Sequence, residues 1–334
     1  MENPAVQRKT HYEMSFYEIL ATSVARMGPT PNHIAIIMDG NRRFARAKGL
    51  KVMHGHEAGS TVLDGVDEWR KAIGCKELTI YVFSSENFKR TKDEVDNLME
   101  LIFRRSEDTL NDVKSGKNTN MCVQFIGNWE RSPEKLKNRI ANVMEITKDF
   151  KPYKLNVALA FTGREGILQS LQAFTGWKDD TPTNESDSTP ENSLGWNQYL
   201  IEQAQHLAHM RPIDILIRSG GDQRYSDFMM WEASHAYIHF TPETWPEFNF
   251  NQFMNAIFKY QVFRRQLIHK PISAKESLSP EESIKSEEIL EKSRIKKWKR
   301  IGRLARKDVP HLGTCIPYVV NNKWLESFQK ILKF

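Results

Sequence analysis

Four apolar stretches of the sequence are each followed directly by a cluster of polar and charged residues. Residues 34–38 lead into residues 39–43, DGNRR, and another apolar stretch leads into residues 218–226, RSGGDQRYS. The other two clusters begin at Ser84 and Thr162. A lone carboxylate beside arginines could cap a helix or form a salt bridge. It could also hold a metal ion while the arginines hold an anion.

The four clusters together indicate an anionic ligand. If the four apolar stretches are parallel strands, their carboxyl ends lie at one edge of the sheet, where parallel α/β sheets bind ligands. Several arginines would then surround one mouth, and they would repel one another without an anion between them. Because the planar guanidinium group matches phosphate best, we expect phosphate sites there.

The first cluster has the chemistry of a helix N-terminus. Asn41 can cap a helix that continues through RRFARAK and ends at Gly49. The free N–H groups at such an end bind anions, and Gly40 would let a phosphate approach the backbone. The carboxylate of Asp39 would repel that phosphate unless a cation such as Mg²⁺ lay between them. Asp39 is therefore either a metal ligand or an ordinary cap or salt-bridge partner.

The last cluster predicts a second phosphate site. Arg218 and Arg224 lie on either side of a Gly-Gly turn, and Ser226 follows. Glycines at a turn can orient backbone N–H groups into an anion-binding nest. A tight turn with solvated arginines is the alternative. His56 lies at the start of another predicted helix, where it could be structural or donate a hydrogen bond to a phosphate.

The spacing of the apolar residues predicts alternating strands and helices. Helical stripes cover residues 93–112, 133–148 and 163–175. The strand-like runs are near-continuous rather than alternating, as expected for strands that are covered on both faces. We therefore predict an α/β fold, a single domain with a mostly parallel six-stranded sheet flanked by helices. The predicted strands are 34–38, 78–83, 121–127, 155–161, 214–219 and 236–240.

Large apolar side chains lie behind the predicted mouth. Most would fill the core, but some could line an apolar channel that opens at the carboxyl ends of the strands. Such a channel would hold a hydrocarbon chain attached to the phosphates. The candidates are Phe83, Phe88, Leu98, Met99, Ile102, Phe103, Phe125 and Phe161.

Composition narrows the classes of partner. The chain has 334 residues and a net charge of +6, which indicates acidic partners without naming one. Neither glycine-rich nucleotide motif occurs. Because the arginines follow strands instead of forming a basic face with aromatic residues, no nucleic-acid partner is predicted. The three cysteines form no close pair, which disfavours a disulfide framework or a zinc site. No apolar run reaches the roughly 18 residues of a membrane-spanning helix.

We expect three parts along the chain. Residues 1–29 form an N-terminal extension, residues 30–270 a central domain with a flexible polar loop at 178–193, and residues 271–334 a charged helical tail outside the main fold. A helix at 16–27 could pack on the domain, touch a membrane or cover an apolar groove. The tail could be a solvated helix or could bind a partner or a membrane surface. The apolar face of the first helix comprises Phe16, Ile19, Leu20, Val24 and Met27.

Several long motifs, in order and spacing, resemble those of the cis-prenyltransferases, also called Z-type isoprenyl diphosphate synthases. The resemblance covers roughly residues 30–262. Aspartate-rich D-D-x-x-D motifs, which mark the trans-prenyltransferases, are not matched. The motifs are HIAIIMDGNRR (33–43), GHEAG (55–59), YVFSSENFKR (81–90), DILIRSGGDQRYSDFMMW (214–231) and WPEF (245–248).

This resemblance implies a reaction and a role for each matched residue. Isopentenyl diphosphate would be condensed onto an allylic diphosphate such as farnesyl diphosphate, with Mg²⁺ held by Asp39. The product would be a long polyprenyl (dehydrodolichyl) diphosphate for dolichol synthesis and protein glycosylation. The catalytic residues implied are Asp39, His56, Ser84 and Asn87. The substrate-binding residues implied are Gly40, Asn41, Arg42, Arg43, Phe44, Ser85, Glu86, Phe88, Arg90, Arg218, Arg224 and Ser226.

Departures from the bacterial pattern favour the eukaryotic, dolichol-making branch of the family. A glutamate that helps to hold the metal in bacterial members is replaced by Tyr237, and the extension and the tail are additional. That branch implies a peripheral protein on the cytosolic face of the endoplasmic reticulum membrane. It also implies a Nogo-B-receptor-like partner subunit with a terminal R-x-G motif, whereas this sequence ends QKILKF. Arg300-Ile301-Gly302 fits the letters inside the tail. A homodimer is the alternative to this heteromer.

Two hypotheses of function are therefore compared. The chain could be a catalytic Z-type prenyltransferase, or it could be a non-catalytic or partner-dependent subunit of a heteromeric one. A subunit that had lost catalysis is expected to lack several motif residues. Asp39, His56, Asn87, Arg218 and Arg224 are all present, which favours the catalytic hypothesis.

Overall fold

The fold was analysed in a computed structural model that describes residues 12–117, 119–175, 211–266 and 279–311. Within these residues, six strands form one sheet in which every neighbouring pair is parallel. This confirms the predicted α/β fold and all six predicted strands. The strands are β1 (His33–Ile37), β2 (Glu77–Ser84), β3 (Met121–Ile126), β4 (Tyr153–Phe161), β5 (Ile215–Arg218) and β6 (Tyr237–Phe240).

The strand order places the four polar clusters together. The order is β3-β4-β2-β1-β5-β6, so β1 lies between β2 and β5. The chain leaves β1 toward β2 on one side and returns later to β5 on the other side. Such a reversal of direction in a parallel sheet opens a crevice at the carboxyl ends of the strands. Asp39, which follows β1, therefore lies at the centre of the edge.

Helices connect the strands, as parallel pairing requires. The predicted apolar stripe on α4 is confirmed, because Leu98, Met99, Ile102 and Phe103 are all buried. The predicted helices at 133–148 and 163–175 are confirmed as well. The helices are α1 (Phe16–Ala25), α2 (Asn41–Ala47), α3 (Val52–Ala72), α4 (Lys92–Lys114), α5 (Glu134–Thr147), α6 (Gly163–Thr175), α7 (Phe250–Phe263) and α8 (Pro280–Ala305).

The central strand shows why the apolar runs are continuous. All five residues of β1 are buried. Ile34 and Ile36 belong to one hydrophobic cluster, whereas Ala35 and Ile37 belong to another. Because successive side chains of a strand face opposite sides of the sheet, both faces must be covered.

Helix α1 has its apolar face exposed. Phe16 is 81% exposed and Met27 is 87% exposed, and Ile19, Leu20 and Val24 are exposed as well. The inward face is formed by Glu18, Thr22 and Ala25. The Glu18 carboxylate accepts hydrogen bonds from the Tyr12 hydroxyl (2.6 Å) and from Trp69 Nε1 (2.9 Å). The helix therefore packs on the chain's own domain, as one hypothesis expected, but it does so through Glu18, Thr22 and Ala25 and not through the predicted apolar face.

Helix α8, in the charged tail, packs along α5. Leu290, Ile301 and Ala305 are buried. Beyond the helix, Asp308 accepts hydrogen bonds from Arg139 Nε (2.8 Å) and Asn142 Nδ2 (3.0 Å) of α5. The expectation that this part of the tail lies outside the main fold as a solvated helix is therefore wrong, because its apolar positions contact α5.

Three predicted features lie partly or wholly outside the described residues. These are the first eleven residues of the extension, the polar loop at 178–193, and the tail beyond residue 311. None of the helices in the described ranges is long and apolar enough to span a bilayer.

Candidate active site

The loops after β1 and β5 are fastened to each other, which brings the first and last polar clusters into contact. Ile37 pairs with Arg218 at the ends of the two strands. The Asp39 amide donates to Ser219 Oγ at 3.0 Å. Gly220 packs so closely that a Cβ atom there would lie 2.6 Å from the Arg43 guanidinium and 3.1 Å from the Asp39 carbonyl carbon. Only glycine fits this approach.

Asp39 and Arg218 form the central ion pair of the site. Arg218 Nη2 donates to Asp39 Oδ2 at 2.7 Å, and the Arg218 side chain is only 2% exposed. Its Nη1 donates to Ser226 Oγ at 2.7 Å and to the Arg224 carbonyl. The buried guanidinium therefore holds the carboxylate and the downstream loop in one arrangement. Its Nε has no hydrogen-bond partner.

The Asp39 carboxyl is kept ionised by its neighbours. Partial burial acts to raise its pKa, but hydrogen bonds from Arg218 and the Gly40 amide, together with the charges of Arg218 and Arg43, outweigh burial and lower the pKa. The Gly40 amide donates to Asp39 Oδ1 at 2.6 Å. An ionised carboxylate that is still about one-third exposed offers oxygen atoms to a cation in the cavity.

Asp222 is a charged residue of the mouth that the sequence prediction did not include. Its Oδ2 lies 2.8 Å from Arg224 Nη2, 3.6 Å from Arg218 Nη2 and 3.9 Å from Arg43 Nη2. Asp222 stands inside the RSGGDQRYS motif, between the two arginines that were singled out. A second carboxylate beside three arginines was thus visible as a signal in the sequence.

Two details of the predicted phosphate sites are wrong. Gly40, with φ of 97°, occupies the N-cap of α2, so Asn41 is the first residue of the helix and does not cap it. Gly220 and Gly221 donate their amides to the carbonyls of Glu243 (2.6 Å) and Thr241 (2.9 Å). Because those N–H groups are already paired, the predicted anion nest does not form.

His56 is placed in the mouth as an uncharged side chain. Burial and then the positive charges of Arg90 and Arg42 outweigh Glu94 and lower the pKa of His56 to about 4. Its buried Nε2 has no hydrogen-bond partner. At neutral pH the imidazole can therefore offer a ligand a hydrogen bond, but not a positive charge.

Arg42 and Arg90 share one carboxylate at the rim of the cavity. Arg90 Nη1 lies 2.7 Å from Glu94 Oε1, and Arg42 Nη1 lies 3.9 Å from Glu94 Oε2. Burial, foremost, and the positive charge of Arg42 lower the pKa of Arg90. Two arginines on one glutamate leave net positive charge that a phosphate could neutralise.

The segment after β2 forms a 3₁₀ turn, Ser85–Lys89, that is locked by its own side chains. Ser84 Oγ accepts from the Glu86 amide, and Asn87 Oδ1 accepts from the Ser84 amide, each at 3.0 Å. This capping box occupies both Oδ1 and the backbone amide of Asn87 and so fixes the residue at the cavity. Ser84 and Asn87 both line that cavity.

The structure gathers most, but not all, predicted site residues around one cavity. Phe44, Ser85 and Phe88 are not among the residues that line it, and Phe88 instead packs on Phe83 with ring centroids 4.8 Å apart. The predicted residues that line it are Asp39, Gly40, Asn41, Arg42, Arg43, His56, Ser84, Glu86, Asn87, Arg90, Arg218, Arg224 and Ser226.

The cavity continues from the charged mouth along the sheet. Its volume is about 1610 Å³, above the roughly 300–1,000 Å³ of ordinary small-molecule sites. It passes between α3, α4 and the sheet and reaches Met121 and Tyr153, where β3 and β4 begin. Of the eight apolar residues proposed for a channel, four line it, namely Phe83, Leu98, Ile102 and Phe125.

Tyr237 and Arg300 lie away from this mouth. Tyr237 pairs with Ile215 at the start of β6, so it stands at the opposite end of the strands from Arg218. Its ring stacks on Phe263 with centroids 5.8 Å apart. Arg300 of α8 forms a salt bridge with Glu130. Neither residue lines the cavity.

The charged mouth suits a divalent cation that is bound by few protein groups and mainly by the oxygen atoms of a bound phosphate compound. In the described part of the chain, no group of three or more His, Cys, Asp or Glu side chains could hold a metal ion. Asp39 presents an ionised carboxylate into the cavity among the arginines, and Asp222 lines the cavity beside it. Mg²⁺ is commonly bound through one or two carboxylates, substrate phosphates and water, so this donor set fits it.

Comparison with known proteins identifies the family. A family model described as "Putative undecaprenyl diphosphate synthase" matches residues 37–267. Dehydrodolichyl diphosphate synthase complex subunits from Mus musculus and Homo sapiens are each 32% identical to the chain, over 75% of it and 72% and 73% of their own lengths. The chain belongs to the cis-prenyltransferase family. A tritrans,polycis-undecaprenyl-diphosphate synthase from Archaeoglobus fulgidus is 36% identical over 73% of this chain and 94% of that protein.

Solved structures agree with membership of the cis-prenyltransferase family. The lavandulyl diphosphate synthase of Lavandula x intermedia, crystallised with dimethylallyl diphosphate, has a TM-score of 0.58 and 29% identity, and the match covers 70% of this chain and 95% of that one. A probable undecaprenyl diphosphate synthase from Campylobacter jejuni shares the fold, with a TM-score of 0.55. This cis-prenyltransferase is therefore an enzyme of prenyl chain elongation, as the motif resemblance implied.

Proposed function

We propose that this cis-prenyltransferase condenses isopentenyl diphosphate repeatedly onto farnesyl diphosphate and makes a long polyprenyl (dehydrodolichyl) diphosphate for dolichol synthesis. The observation that carries the proposal is the continuity of one cavity from an arginine-rich mouth into an apolar channel. A diphosphate needs the first part and a growing hydrocarbon needs the second. The names of the two mammalian relatives support the dolichol branch.

The allylic diphosphate would bind at the β1–α2 junction. The first-turn amides of a helix lack partners within the helix, and Arg42, Arg43 and His56 surround that end. Gly40 and Asn41 line the cavity at that end. Helix α3 packs closely on α2 there, since a Cβ at Gly55 would lie 2.2 Å from the Asn41 carbonyl oxygen. His56 would contribute an N–H group and not a charge.

Isopentenyl diphosphate would be held by Arg224, Arg218 and Ser226. Arg224 is 64% exposed on its side chain and can turn toward a ligand, whereas Nη1 and Nη2 of the buried Arg218 are occupied by the loop and by Asp39. We therefore expect the two arginines to differ in role. Arg224 binds the second diphosphate directly, and Arg218 also sets the position of Asp39.

Mg²⁺ would be held by Asp39 together with oxygen atoms of the allylic diphosphate. When bound, it would neutralise negative charge on the departing diphosphate. Asp39 and its support from Arg218 would fix where that charge is met, and Arg42, Arg43 and Arg90 would share it.

The bond changes determine what the remaining residues must do. The C1–O bond of the allylic diphosphate breaks while C4 of isopentenyl diphosphate bonds to C1, and a proton then leaves C2 of the isopentenyl unit. Ser84 and Asn87 line the cavity and would direct the path of that proton. Phe44, Ser85, Glu86 and Phe88 would support this segment from its rim or its outer side.

Two further features extend the proposal to the environment of the enzyme. The exposed apolar face of α1 would attach it peripherally to the cytosolic face of the endoplasmic reticulum membrane, where hydrocarbon products can leave. A Nogo-B-receptor-like subunit would complete the site in a heteromer, and the term "complex subunit" in the names of the mammalian relatives supports this.

The deciding experiment is incorporation of radiolabelled isopentenyl diphosphate with farnesyl diphosphate and Mg²⁺, followed by sizing of the products. We expect polyprenyl diphosphates of many units, and a partner subunit should raise their yield. If purified chain, alone and with a candidate partner, yields no elongated product, the catalytic proposal is wrong and the chain acts as a non-catalytic subunit.

A further inference from the structure

Ser85 is held from the outer side of the active-site turn. It begins the Ser85–Lys89 turn that carries Asn87, yet it is not among the residues that line the cavity. Its Oγ lies 3.1 Å from the carbonyl oxygen of Ala160 and 2.9 Å from Glu165 Oε2. The first residue of the turn is therefore anchored to the end of β4 and to α6.

The same two acceptors also hold the loop between β3 and α5. The Asn128 amide donates to the Ala160 carbonyl at 3.0 Å, and Asn128 Nδ2 donates to Glu165 Oε1 at 2.8 Å. One carboxylate thus joins Ser85 to Asn128, with one oxygen for each. Further along this loop, the Arg131 guanidinium lies 4.5 Å from the centroid of the Phe88 ring, so the loop contacts the turn a second time.

The backbone at Ala160 is distorted where these bonds converge. Ala160 has φ of 49°, a left-handed conformation that alanine seldom adopts. The pairing of β2 with β4 is irregular over the same residues, between Tyr81 and Ser84. Irregular pairing and unfavourable φ values persist where the surroundings hold them, and they re-aim side chains near functional sites.

A glutamate in the first turn of a helix can be explained by the helix dipole alone, but the dipole does not explain the contacts of Glu165. Glu165 lies in the first turn of the helix, where negative charge is favourable for any surface helix. That effect requires no particular partner. The two oxygens of Glu165 instead bond to two different loops, and bonds to an ionised acceptor are the stronger ones.

We propose that Glu165 is a positioning residue for prenyl transfer that acts through Ser85. This proposal rests on the proposed function. Glu165 does not line the cavity, so it would touch neither diphosphate. It would instead fix the position of the Ser85–Lys89 turn relative to β4 and α6, and thereby the positions of Ser84 and Asn87. Displacement of such a group by about 1 Å can cost on the order of 100-fold in rate.

The test is a double-mutant cycle with Glu165→Ala and Ser85→Ala, measured by steady-state kinetics of the full chain with its partner subunit. We expect each single variant to lower kcat at least tenfold while the KM for each diphosphate stays within twofold. The double variant should lose little more than either single variant, because the two residues act as one unit. Glu165→Gln keeps one acceptor oxygen and should lose less than Glu165→Ala. Glu134→Ala, a first-turn glutamate of α5 that pairs with Lys137, is the matched control and should leave kcat unchanged.

Each outcome decides the proposal. An unchanged kcat in Glu165→Ala overturns it, and so do additive losses in the double variant. A rise in KM for either diphosphate without a loss of kcat would mean that Glu165 serves binding instead. If Glu165→Ala does not fold by circular dichroism, the conservative pair Glu165→Gln and Ser85→Ala replaces it, and an unchanged kcat in Glu165→Gln or additive losses in that pair then overturn the proposal. Inactivity of the wild-type enzyme would instead refute the proposed function, and with it any role of Glu165 in prenyl transfer.

Discussion

The mouth of the cavity and the outer face of α1 differ in what holds their side chains in place. In the mouth, Asp39, Arg218 and Asp222 are each fixed by oppositely charged neighbours within the chain. On α1, Phe16 and Leu20 project from the surface and are mostly exposed. Helix α7, which is bonded to α1 through Gln261 and Ala25, exposes Val262 and Phe263 as well. A preorganised polar site thus lies on the same domain as an apolar face that is suited to a membrane.

This contrast teaches that the two regions should respond differently to substitution. Removal of one charge from such a cluster disturbs every group that was paired or hydrogen-bonded with it. Removal of exposed apolar side chains costs the fold little and affects only what they would contact outside the chain. Substitutions in the mouth should therefore change kcat most, and substitutions on α1 should change it least.

The largest effect is expected for Asp39→Ala. It removes the proposed metal ligand beside the departing diphosphate, and loss of one such electrostatic contact typically lowers kcat by about 10²–10³-fold. Single-turnover and steady-state rates would measure it, with circular dichroism to verify folding. Near-wild-type turnover in a folded variant would refute the metal role.

The next prediction separates Arg224 from Arg218. Arg224→Ala should mainly raise the KM for isopentenyl diphosphate, since Arg224 is exposed and can turn from Asp222 toward a ligand. Arg218→Ala should raise that KM and also lower kcat, because it releases Asp39. Kinetics with each substrate varied in turn would show the split. If only the KM for the allylic substrate rises, the two phosphate sites have been assigned the wrong way round.

A partner subunit should give a smaller but clear effect at the mouth. Tyr237 has no carboxylate, stands at the far end of β6 and cannot replace the metal-holding glutamate of bacterial members. We expect addition of a subunit with a terminal R-x-G motif to raise kcat/KM at least tenfold, about 1.4 kcal/mol of transition-state stabilisation.

Full activity of the purified chain as a homo-oligomer would contradict that expectation. Arg300→Ala would then test whether the internal R-I-G sequence supplies the missing group. Because Arg300 is paired with Glu130 and does not line the cavity, we expect no change from that substitution.

The smallest effect on chemistry is expected on α1. Phe16→Ser, Ile19→Ser and Leu20→Ser together should reduce membrane recovery and slow multiple-turnover rates severalfold, because product release becomes limiting, while single-turnover rates stay unchanged. Leu50→Ser with Leu168→Ser, also exposed but elsewhere on the domain, is the matched control. Unchanged fractionation and turnover would mean that the α1 face has no membrane role.

The strands, most of the helices and the composition of the mouth follow from the amino-acid sequence alone. Continuous apolar runs leave few alternatives to buried parallel strands, because β1 must satisfy a hydrophobic layer on each face. The position of Asp39, Ser84 and Arg218 at strand ends then follows from the shared direction of the strands. Asp222 could also have been predicted as a site residue, since it stands between Arg218 and Arg224 in the sequence.

Which of these polar groups pair with one another depends on the folded chain. Arg218 is occupied by Asp39, and the amides of Gly220 and Gly221 are taken by carbonyls of the β6 loop, contacts that join residues far apart in the chain. The exposure of α1 was also undecidable from periodicity, because an apolar stripe looks the same whether a domain covers it or not. The role of Glu165 depends on three strand ends that meet in space. Hydrophobic pattern is local and can be read along the chain, whereas the partner of each polar group is fixed only when the chain has folded.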